Sequence, residues 1–192
     1  MKQLAHGYTL RVLDAEENQA IWAQHGEAAF KDAAQVFRYR DALSPDDLAR
    51  IQALGTRMGE PFELRLGVFL GNEVAGWSRG VQESADTYYM VNSAVLPAHQ
   101  RKGLYKALIA ASLEILVPLG FQRIYSRHTA TNNAVIIPKL QAGFVITALE
   151  ASDRFGTLVQ LTYFPNAARR KVLDYRVGLA RPDDEVRGYL GL

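Results

Sequence analysis

The organisation of this chain is decided by residues 95–105, which read VLPAHQRKGLY. A strand-like segment ends at Pro97, a short basic loop follows, and an apolar helical pattern begins after Gly103. The first N–H groups of a helix have no partner within the helix, and the helix dipole adds partial positive charge at that end. A strand that runs through such a loop into a helix is typical of a site for phosphate groups.

Three residues of this loop fit a phosphate site, but the two basic ones also fit an ordinary surface. Gly103 has no side chain, so it lets an anion approach the main chain closely. Arg101 and Lys102 add positive charge that either contacts a phosphate or is solvated. Basic residues at a helix start also serve solubility, so the loop alone leaves both a phosphate site and an ordinary surface open.

The patterns on both sides of this segment predict an α/β (α+β) protein. Alternating polarity and turn residues predict strands, and apolar spacing with capping residues predicts helices. The expected strands are 8–13, 62–70, 73–80, 87–96, 121–128, 144–149 and 157–164, and the expected helices are 14–39, 44–54, 103–117, 132–141 and 167–177. This order predicts a mixed, mostly antiparallel sheet of about seven strands with helices on both faces.

The composition limits the classes of function. A chain of 192 residues that is 48% hydrophobic fits a single core, and we expect a domain over 1–165 followed by a helical extension over 166–192. The absence of cysteine excludes disulfides, thiolate nucleophiles and cysteine metal sites, and we expect no metal. The net charge of +2 is too small to indicate a nucleic-acid partner unless the basic residues cluster.

Neither export nor membrane insertion is expected. The first 13 residues contain no apolar run of signal-peptide length, and the longest apolar run, 107–117, is interrupted by Glu114. We therefore expect a cytoplasmic protein. Four basic residues with Tyr175 in 169–176 allow contact with nucleic acid, but a solvated or interface helix is the favoured interpretation.

Two blocks of the sequence resemble the signature of the GNAT acetyltransferases. In that family Gln/Arg-x-x-Gly-x-Gly/Ala follows the fourth strand, and here Gln100 to Tyr105 is similar to it. The second block is Asn132 followed by 139–144, KLQAGF, which looks like the family's asparagine-containing helix closed by Gly-Phe. The order of elements between residues 8 and 164 also agrees with the GNAT fold.

The resemblance implies acetyl-CoA as the acetyl donor and a primary amine as the acceptor. Main-chain N–H groups of the loop would hold the pyrophosphate, and a main-chain N–H near the end of strand 91–96 would polarise the thioester carbonyl. The amine would attack the thioester directly where this strand separates from strand 121–128. The residues implied in cofactor binding are Val95, Leu96, Gln100, Arg101, Lys102, Gly103, Leu104, Tyr105 and Asn132.

Two positions depart from the family pattern. Tyr105 stands where the family has a small residue, so its ring must point away from the phosphates, and it also fits an amphipathic core position. Lys139 stands where many members have a tyrosine that protonates the departing thiolate. We expect Lys139 to be solvated on the helix surface, so that water supplies this proton.

The candidates for removing the amine's proton are few, because 88–99 contains no carboxylate. His128 is the best candidate, since the reference pKa of histidine lies near working pH, and a structural histidine is the equal alternative. Asn92 and Ser93 are candidates for binding substrate or holding a water that relays the proton, and they also fit ordinary strand positions. Asn132 also fits a helix cap, which is compatible with the cofactor contact that the resemblance implies.

The alternatives to an enzyme are a catalytically silent GNAT-like domain that binds CoA or a partner, and a nucleic-acid-binding protein that uses the basic loop. Strong salt dependence of oligonucleotide affinity would identify the second. The identity of the amine and the formation of a homodimer are left open by the sequence.

Overall fold

The computed structural model describes residues 1–30 and 39–192, which form one eight-stranded sheet flanked by helices. The strands are β1 Lys2–Gln3, β2 Tyr8–Val12, β3 Glu63–Leu70, β4 Glu73–Gln82, β5 Thr87–Val95, β6 Arg123–Thr129, β7 Val145–Ser152 and β8 Gly156–Tyr163. The helices are α1 Ala15–Ala29, α2 Pro45–Thr56, α3 Leu104–Leu116, α4 Asn133–Gln141, α5 Ala167–Arg176 and α6 Asp184–Leu190.

The sheet is mixed and mostly antiparallel, as the sequence predicts. Its strand order is β1-β2-β3-β4-β5-β6-β8-β7, and only the β5–β6 pair is parallel among the described residues. The count of about seven strands is one short because Lys2–Gln3 pairs with β2 at the edge. A two-residue strand is too short to produce a polarity pattern, so the sequence does not reveal it.

Local capping signals determine where α1 and α2 begin. Asp14 accepts a hydrogen bond from the Glu17 main chain while the Glu17 carboxylate accepts one from the Asp14 N–H, which completes a capping box. The Ser44 hydroxyl caps α2 by accepting a hydrogen bond from the Asp47 N–H, and Pro45 occupies the first turn of this helix. Helix α1 ends at Ala29, and the predicted continuation over 31–38 lies outside the described residues.

Each face of the sheet has its own apolar core. The main core joins the sheet to α3 and α4, and it includes Leu66, Leu108 and Ile136. The smaller core joins the opposite face to α1 through Ile21 and Trp77. The two cores therefore cover both faces of the sheet with helices.

The C-terminal segment packs against the domain and contains a helix that the sequence did not predict. Helix α5 is confirmed, and α6 follows it with Val186 buried. Lys171 pairs with Asp183 and Glu185, and Arg170 pairs with Asp174, so much of the basic cluster is neutralised by acids. The division of the chain after residue 165 stays a prediction.

Candidate active site

The site is a fork between β5 and β6. The two strands pair only from Thr87 to Tyr89 against Arg123 to Tyr125. The register of β5 with β4 shifts just beyond this point, which leaves Val91 as a bulge. A bulge bends a strand and increases its twist. The two strands therefore separate where the family resemblance predicts the thioester.

The basic loop lies at the far end of the fork and has an unusual main chain. Arg101 and Gly103 both have positive φ, 60° and 78°, and α3 begins directly after them. The main-chain N–H groups from Arg101 to Lys106 donate to no acceptor in the described part of the chain. Consecutive N–H groups of this kind form a concave site for an anion. The Gln100 N–H belongs to a turn with Pro97, so the free run begins one residue later than expected.

The side chains of the loop leave this concave surface open. A Cβ built on Gly103 would meet no atom within 4 Å. Leu104 is buried, and Tyr105 packs against the main core, where burial raises the pKa of its hydroxyl. The bulky Tyr105 ring therefore points away from the loop. Gln100 folds back and donates to the carbonyl of Val95 at 3.1 Å.

Only one of the two main-chain N–H groups proposed to polarise a thioester is available. The Leu96 N–H donates to Ala75 on β4 at 2.9 Å, which corrects the expectation for that residue. In an antiparallel pair, successive residues point their N–H groups to opposite sides. Because Leu96 points toward β4, Val95 points its N–H into the fork.

A polar chain with the buried residues Tyr8 and His99 at its centre connects the loop to β2 and β4, and no sequence pattern indicates it. Lys102 Nζ donates to the Tyr8 hydroxyl at 3.0 Å, and that hydroxyl lies 2.9 Å from Nδ1 of His99. Nε2 of His99 lies 3.2 Å from the carboxylate of Glu73. The donors align in one direction: Lys102 to Tyr8, Tyr8 to His99, and His99 to Glu73. The ammonium of the exposed Lys102 is thus anchored to the buried Tyr8.

Asn92 and Ser93 point to opposite faces of the sheet because they are neighbours on one strand. Asn92 accepts from the indole of Trp77 at 3.1 Å, on the side of α1. The Ser93 hydroxyl pairs with Ser78 at 2.9 Å on the other face. Asn92 and Ser93 therefore do not share a face on which they could hold one water together, although each can still contact a substrate or a water separately.

His128 lies on β6 next to a buried cluster of Ser126, Lys139 and Met90, which no sequence pattern indicates. Its Nε2 is 2.8 Å from the hydroxyl of Ser126, which accepts from Lys139 Nζ at 2.7 Å. Lys139 is only 1% exposed and also contacts the sulfur of Met90 at 3.2 Å. The expectation of a solvated Lys139 is wrong, because α4 turns this side chain inward against the fork.

Burial determines the charge of both basic groups. It lowers the pKa of Lys139 to about 7. Burial, followed by the charge of Lys139, lowers the pKa of His128 to about 3. His128 is therefore neutral near neutral pH and holds an added proton weakly, whereas Lys139 changes charge there.

Within residues 1–30 and 39–192, the Asn132 side chain has no hydrogen-bond partner. It occupies the residue before α4, but its side chain makes no capping hydrogen bond. The cap interpretation of Asn132 is therefore wrong. A cofactor contact by this residue stays a prediction.

Aromatic and charged side chains line the α1 side of the fork. Tyr89 and Tyr125 stack with centroids 5.0 Å apart, and the Arg127 guanidinium lies over Tyr89. Tyr125 donates to Glu83 at 2.6 Å, and Arg127 pairs with Glu150. Alternation along β5 and β6 predicts this shared face, but only the strand pairing shows that the residues meet.

Within residues 1–30 and 39–192, no group of three or more histidine and acidic side chains is placed to hold a metal ion. In the same part of the chain, no helix is long and apolar enough to cross a membrane.

Comparison with protein families identifies the chain. The model described as the acetyltransferase (GNAT) family matches residues 21–144. The chain belongs to the GNAT family. The match covers β3 to β6, the basic loop and α4, so it includes both blocks on which the sequence resemblance rests. Among curated protein sequences, none matches this GNAT chain.

Solved structures similar to this GNAT protein share its fold at low identity. The protein yncA from Salmonella typhimurium, solved with its cofactor acetyl-CoA, is 19% identical with a TM-score of 0.62, covering 84% of this chain and 96% of its own. The ribosomal-protein-S18-alanine N-acetyltransferase from Escherichia coli is 19% identical with a TM-score of 0.58, covering 82% and 93%. The spermidine N-acetyltransferase from Vibrio cholerae, solved with CoA and spermine, is 17% identical with a TM-score of 0.57, covering 82% and 95%.

Proposed function

We propose that this protein is an acetyl-CoA-dependent N-acetyltransferase that transfers an acetyl group to a primary amine by direct attack. One observation carries the proposal: the free main-chain N–H groups from Arg101 to Lys106 adjoin a fork between β5 and β6. The membership of the GNAT family and the CoA complexes of similar structures support it.

The residues present fit this cofactor. The N–H groups of Arg101 to Tyr105 bind the pyrophosphate, and the open space over Gly103 gives phosphate oxygens access to them. The exposed guanidinium of Arg101 adds positive charge. Asn132, with its free amide, is a further contact. When bound, acetyl-CoA supplies an acetyl group activated as a thioester with a thiolate leaving group.

The protein's own groups position and polarise the reactants. The Val95 N–H points into the fork and is placed to donate to the carbonyl oxygen of the acetyl group, where negative charge develops. Val95 reaches this position because Leu96 is held by β4. The loss of such a donor typically costs about 10²-fold or more in turnover.

His128 is the group that accepts the amine's proton in this proposal. It is half-buried, and among the described residues its Nδ1 makes no hydrogen bond, so this nitrogen can face a substrate. Ser93 lies on the same face of the sheet and can hold a water. Asn92 lies on the other face, where it can orient an acceptor beside Trp77.

The acceptor belongs to the class of primary amines. Similar proteins acetylate spermidine and the alanine of ribosomal protein S18, so polyamines and protein N-termini enter the test together with amino acids and aminoglycoside-type antibiotics. A cytoplasmic location and a homodimer stay predictions.

Two measurements test the proposal. Calorimetry compares acetyl-CoA with an oligonucleotide, and acetyl-CoA should bind and raise the thermal midpoint by mass action. A panel of amines is then assayed for the release of free thiol from acetyl-CoA. Absence of acetyl-CoA binding at saturating concentration would overturn the cofactor assignment. Binding without turnover on any amine would favour a silent GNAT domain, and salt-dependent oligonucleotide binding would favour the nucleic-acid alternative.

A further inference from the structure

Three side chains at the fork form one continuous hydrogen-bonded chain. Lys139 Nζ lies 2.7 Å from Ser126 Oγ, which lies 2.8 Å from Nε2 of His128. Lys139 and Ser126 are fully buried, whereas His128 is half-buried and reaches the surface of the fork. Met90 and Ser126 directly follow the last paired residues of β5 and β6, so Lys139 contacts both strands where they separate.

The charge of Lys139 determines the direction of these hydrogen bonds. An ammonium group has only donors, so a charged Lys139 makes Ser126 Oγ an acceptor. The one hydrogen of Ser126 is then left for Nε2 of His128. A neutral imidazole with an accepting Nε2 carries its hydrogen on Nδ1.

An uncharged Lys139 reverses the chain. The neutral amine has a lone pair and accepts the hydrogen of Ser126. Ser126 Oγ is then free to accept from His128, which places the imidazole hydrogen on Nε2. The outer nitrogen Nδ1 now has the lone pair that a proton acceptor needs.

We infer that Lys139, Ser126 and His128 form a proton relay in which the charge of the buried Lys139 selects the ring nitrogen of His128 that carries the hydrogen. The assignment of this relay to acetyl transfer rests on the proposed function. Lys139 and Ser126 act through His128 and are positioning residues.

The surroundings of Lys139 contain no group that would fix its charge. Lys139 meets the thioether of Met90 from β5 and the ring of Phe144, the residue just before β7, with the ammonium 4.7 Å from the ring centre. The titratable group that faces it from β6 is His128, which is neutral. Burial is the one cause that lowers its pKa to about 7, so no charged group of α3 or β8 in the described residues contributes. Both charge states are therefore accessible near neutral pH.

The relay balances the proton released in the reaction. The nitrogen of the amine forms a bond to the acetyl carbon, and the electron pair of the carbon–sulfur bond leaves on sulfur. The amine's proton binds Nδ1 of His128, Nε2 releases its hydrogen to Ser126, and Ser126 releases its own to Lys139. Lys139 returns this proton along the same path to water when the products have left. His128 thus conducts a proton that it holds only weakly.

The test uses the protein without cofactor. Imidazole nitrogen NMR shifts of isotope-labelled protein distinguish the two neutral tautomers from the imidazolium form, and the His128 signals are assigned by their loss in His128→Gln. The measurement covers roughly two pH units on each side of the pKa of Lys139. We expect His128 to remain neutral while its hydrogen moves from Nδ1 to Nε2, with a midpoint near pH 7.

Two variants remove the relay at different links. Ser126→Ala and Lys139→Met should each abolish the tautomer change near pH 7, whereas Ser126→Thr, which keeps a hydroxyl, should retain it. If Lys139→Met does not fold, Ser126→Ala gives the same answer. One tautomer throughout in the natural protein, a change that persists in either variant, or formation of imidazolium near neutral pH would overturn the relay.

The relay and the proposed function fail separately. Calorimetry with acetyl-CoA tests the function and does not depend on the tautomer of His128. A protein that changes tautomer but does not bind acetyl-CoA would keep the relay and lose the acetyltransferase assignment. A protein that binds acetyl-CoA but shows no tautomer change would remain an acetyltransferase. The hydrogen of its His128 ring would then not depend on Lys139.

Discussion

The basic loop and the fork differ in how they are built. The loop is one contiguous segment whose chemistry resides in its main chain, from Arg101 to Lys106. The fork brings together side chains from three elements, and its properties come from the burial of Lys139. A contiguous main-chain site tolerates many side chains, whereas the fork depends on each one. The two sites should therefore respond to substitution in different ways.

Lys139→Met should produce the largest effect, because it removes a buried charge. The folded protein binds this proton only below about pH 7, whereas the unfolded chain binds it below the ordinary lysine pKa of 10.5. Stability of the natural protein is therefore complete above the unfolded pKa and is lost as pH falls toward 7. Relative to Lys139→Met, its free energy of unfolding should rise by about 3 kcal/mol between about pH 7 and about pH 9.5.

Denaturant unfolding of both proteins over this pH range measures the difference. Lys106→Met makes the same substitution at an exposed position of α3 and is the control. A difference between Lys139→Met and the natural protein that does not change with pH would mean that Lys139 is hydrated in solution.

Gly103→Asp should remove acetyl-CoA binding without unfolding the protein. The new carboxylate stands where the phosphates approach, while the position has space for a side chain. The affinity should fall by about 10²-fold or more, and the rise in thermal midpoint should disappear. Calorimetry with acetyl-CoA measures the change.

Gly178→Asp is the matched control, because Gly178 also has positive φ, 77°, and open space, but lies after α5. It carries the same backbone strain and added charge and should leave acetyl-CoA affinity unchanged. Normal binding by folded Gly103→Asp would show that the loop is not the phosphate site.

His128→Gln should lower turnover by roughly 10²-fold while acetyl-CoA binding remains, since glutamine keeps hydrogen bonding but cannot accept the proton. Turnover of the natural protein should rise with pH through about 7, where Lys139 loses its charge, and not near the lowered pKa of His128. The variant should lose this step. Thiol release with the best amine of the panel measures both, and wild-type turnover with an unchanged pH profile would make His128 structural.

The sequence predicted the parts of this molecule that depend on neighbouring residues. The capping box of Asp14 and Glu17, the turn at Gly71 and the start of α3 after Gly103 are local, and all three are confirmed. The edge strand Lys2–Gln3 could not be predicted, because its pairing with β2, and not its composition, makes it a strand.

The side-chain chemistry was less predictable because it depends on packing. The sequence favours a solvated Lys139, and only the position of α4 against the fork buries this side chain. The contacts of His99 could not be predicted either, since its partners Tyr8 and Glu73 are distant in sequence. The sequence signal for a special role of Lys139 is its position four residues before Gly143, where many family members have a tyrosine.

Tyr8→Phe should produce the smallest effect, and it tests whether the loop depends on the rest of the fold. Phenylalanine keeps the ring but removes the hydroxyl, which leaves Nδ1 of buried His99 without a donor and Lys102 without its anchor. An unsatisfied buried acceptor costs about 1–3 kcal/mol, so the free energy of unfolding should fall by about that amount. Acetyl-CoA affinity should fall by only about threefold, because the main-chain N–H groups remain and only the preorganisation of Lys102 is lost.

The control for this change is Tyr189→Phe, which removes an exposed hydroxyl that donates to Glu185 on α6. It should change neither stability nor affinity by a measurable amount, because water replaces the lost partner. A loss of stability in Tyr8→Phe with unchanged affinity would mean that the buried chain supports the core but not the loop. The loop would then be a main-chain site that does not depend on distant side chains, in contrast to the fork. A combined loss would instead mean that even the contiguous site depends on distant side chains, through Lys102.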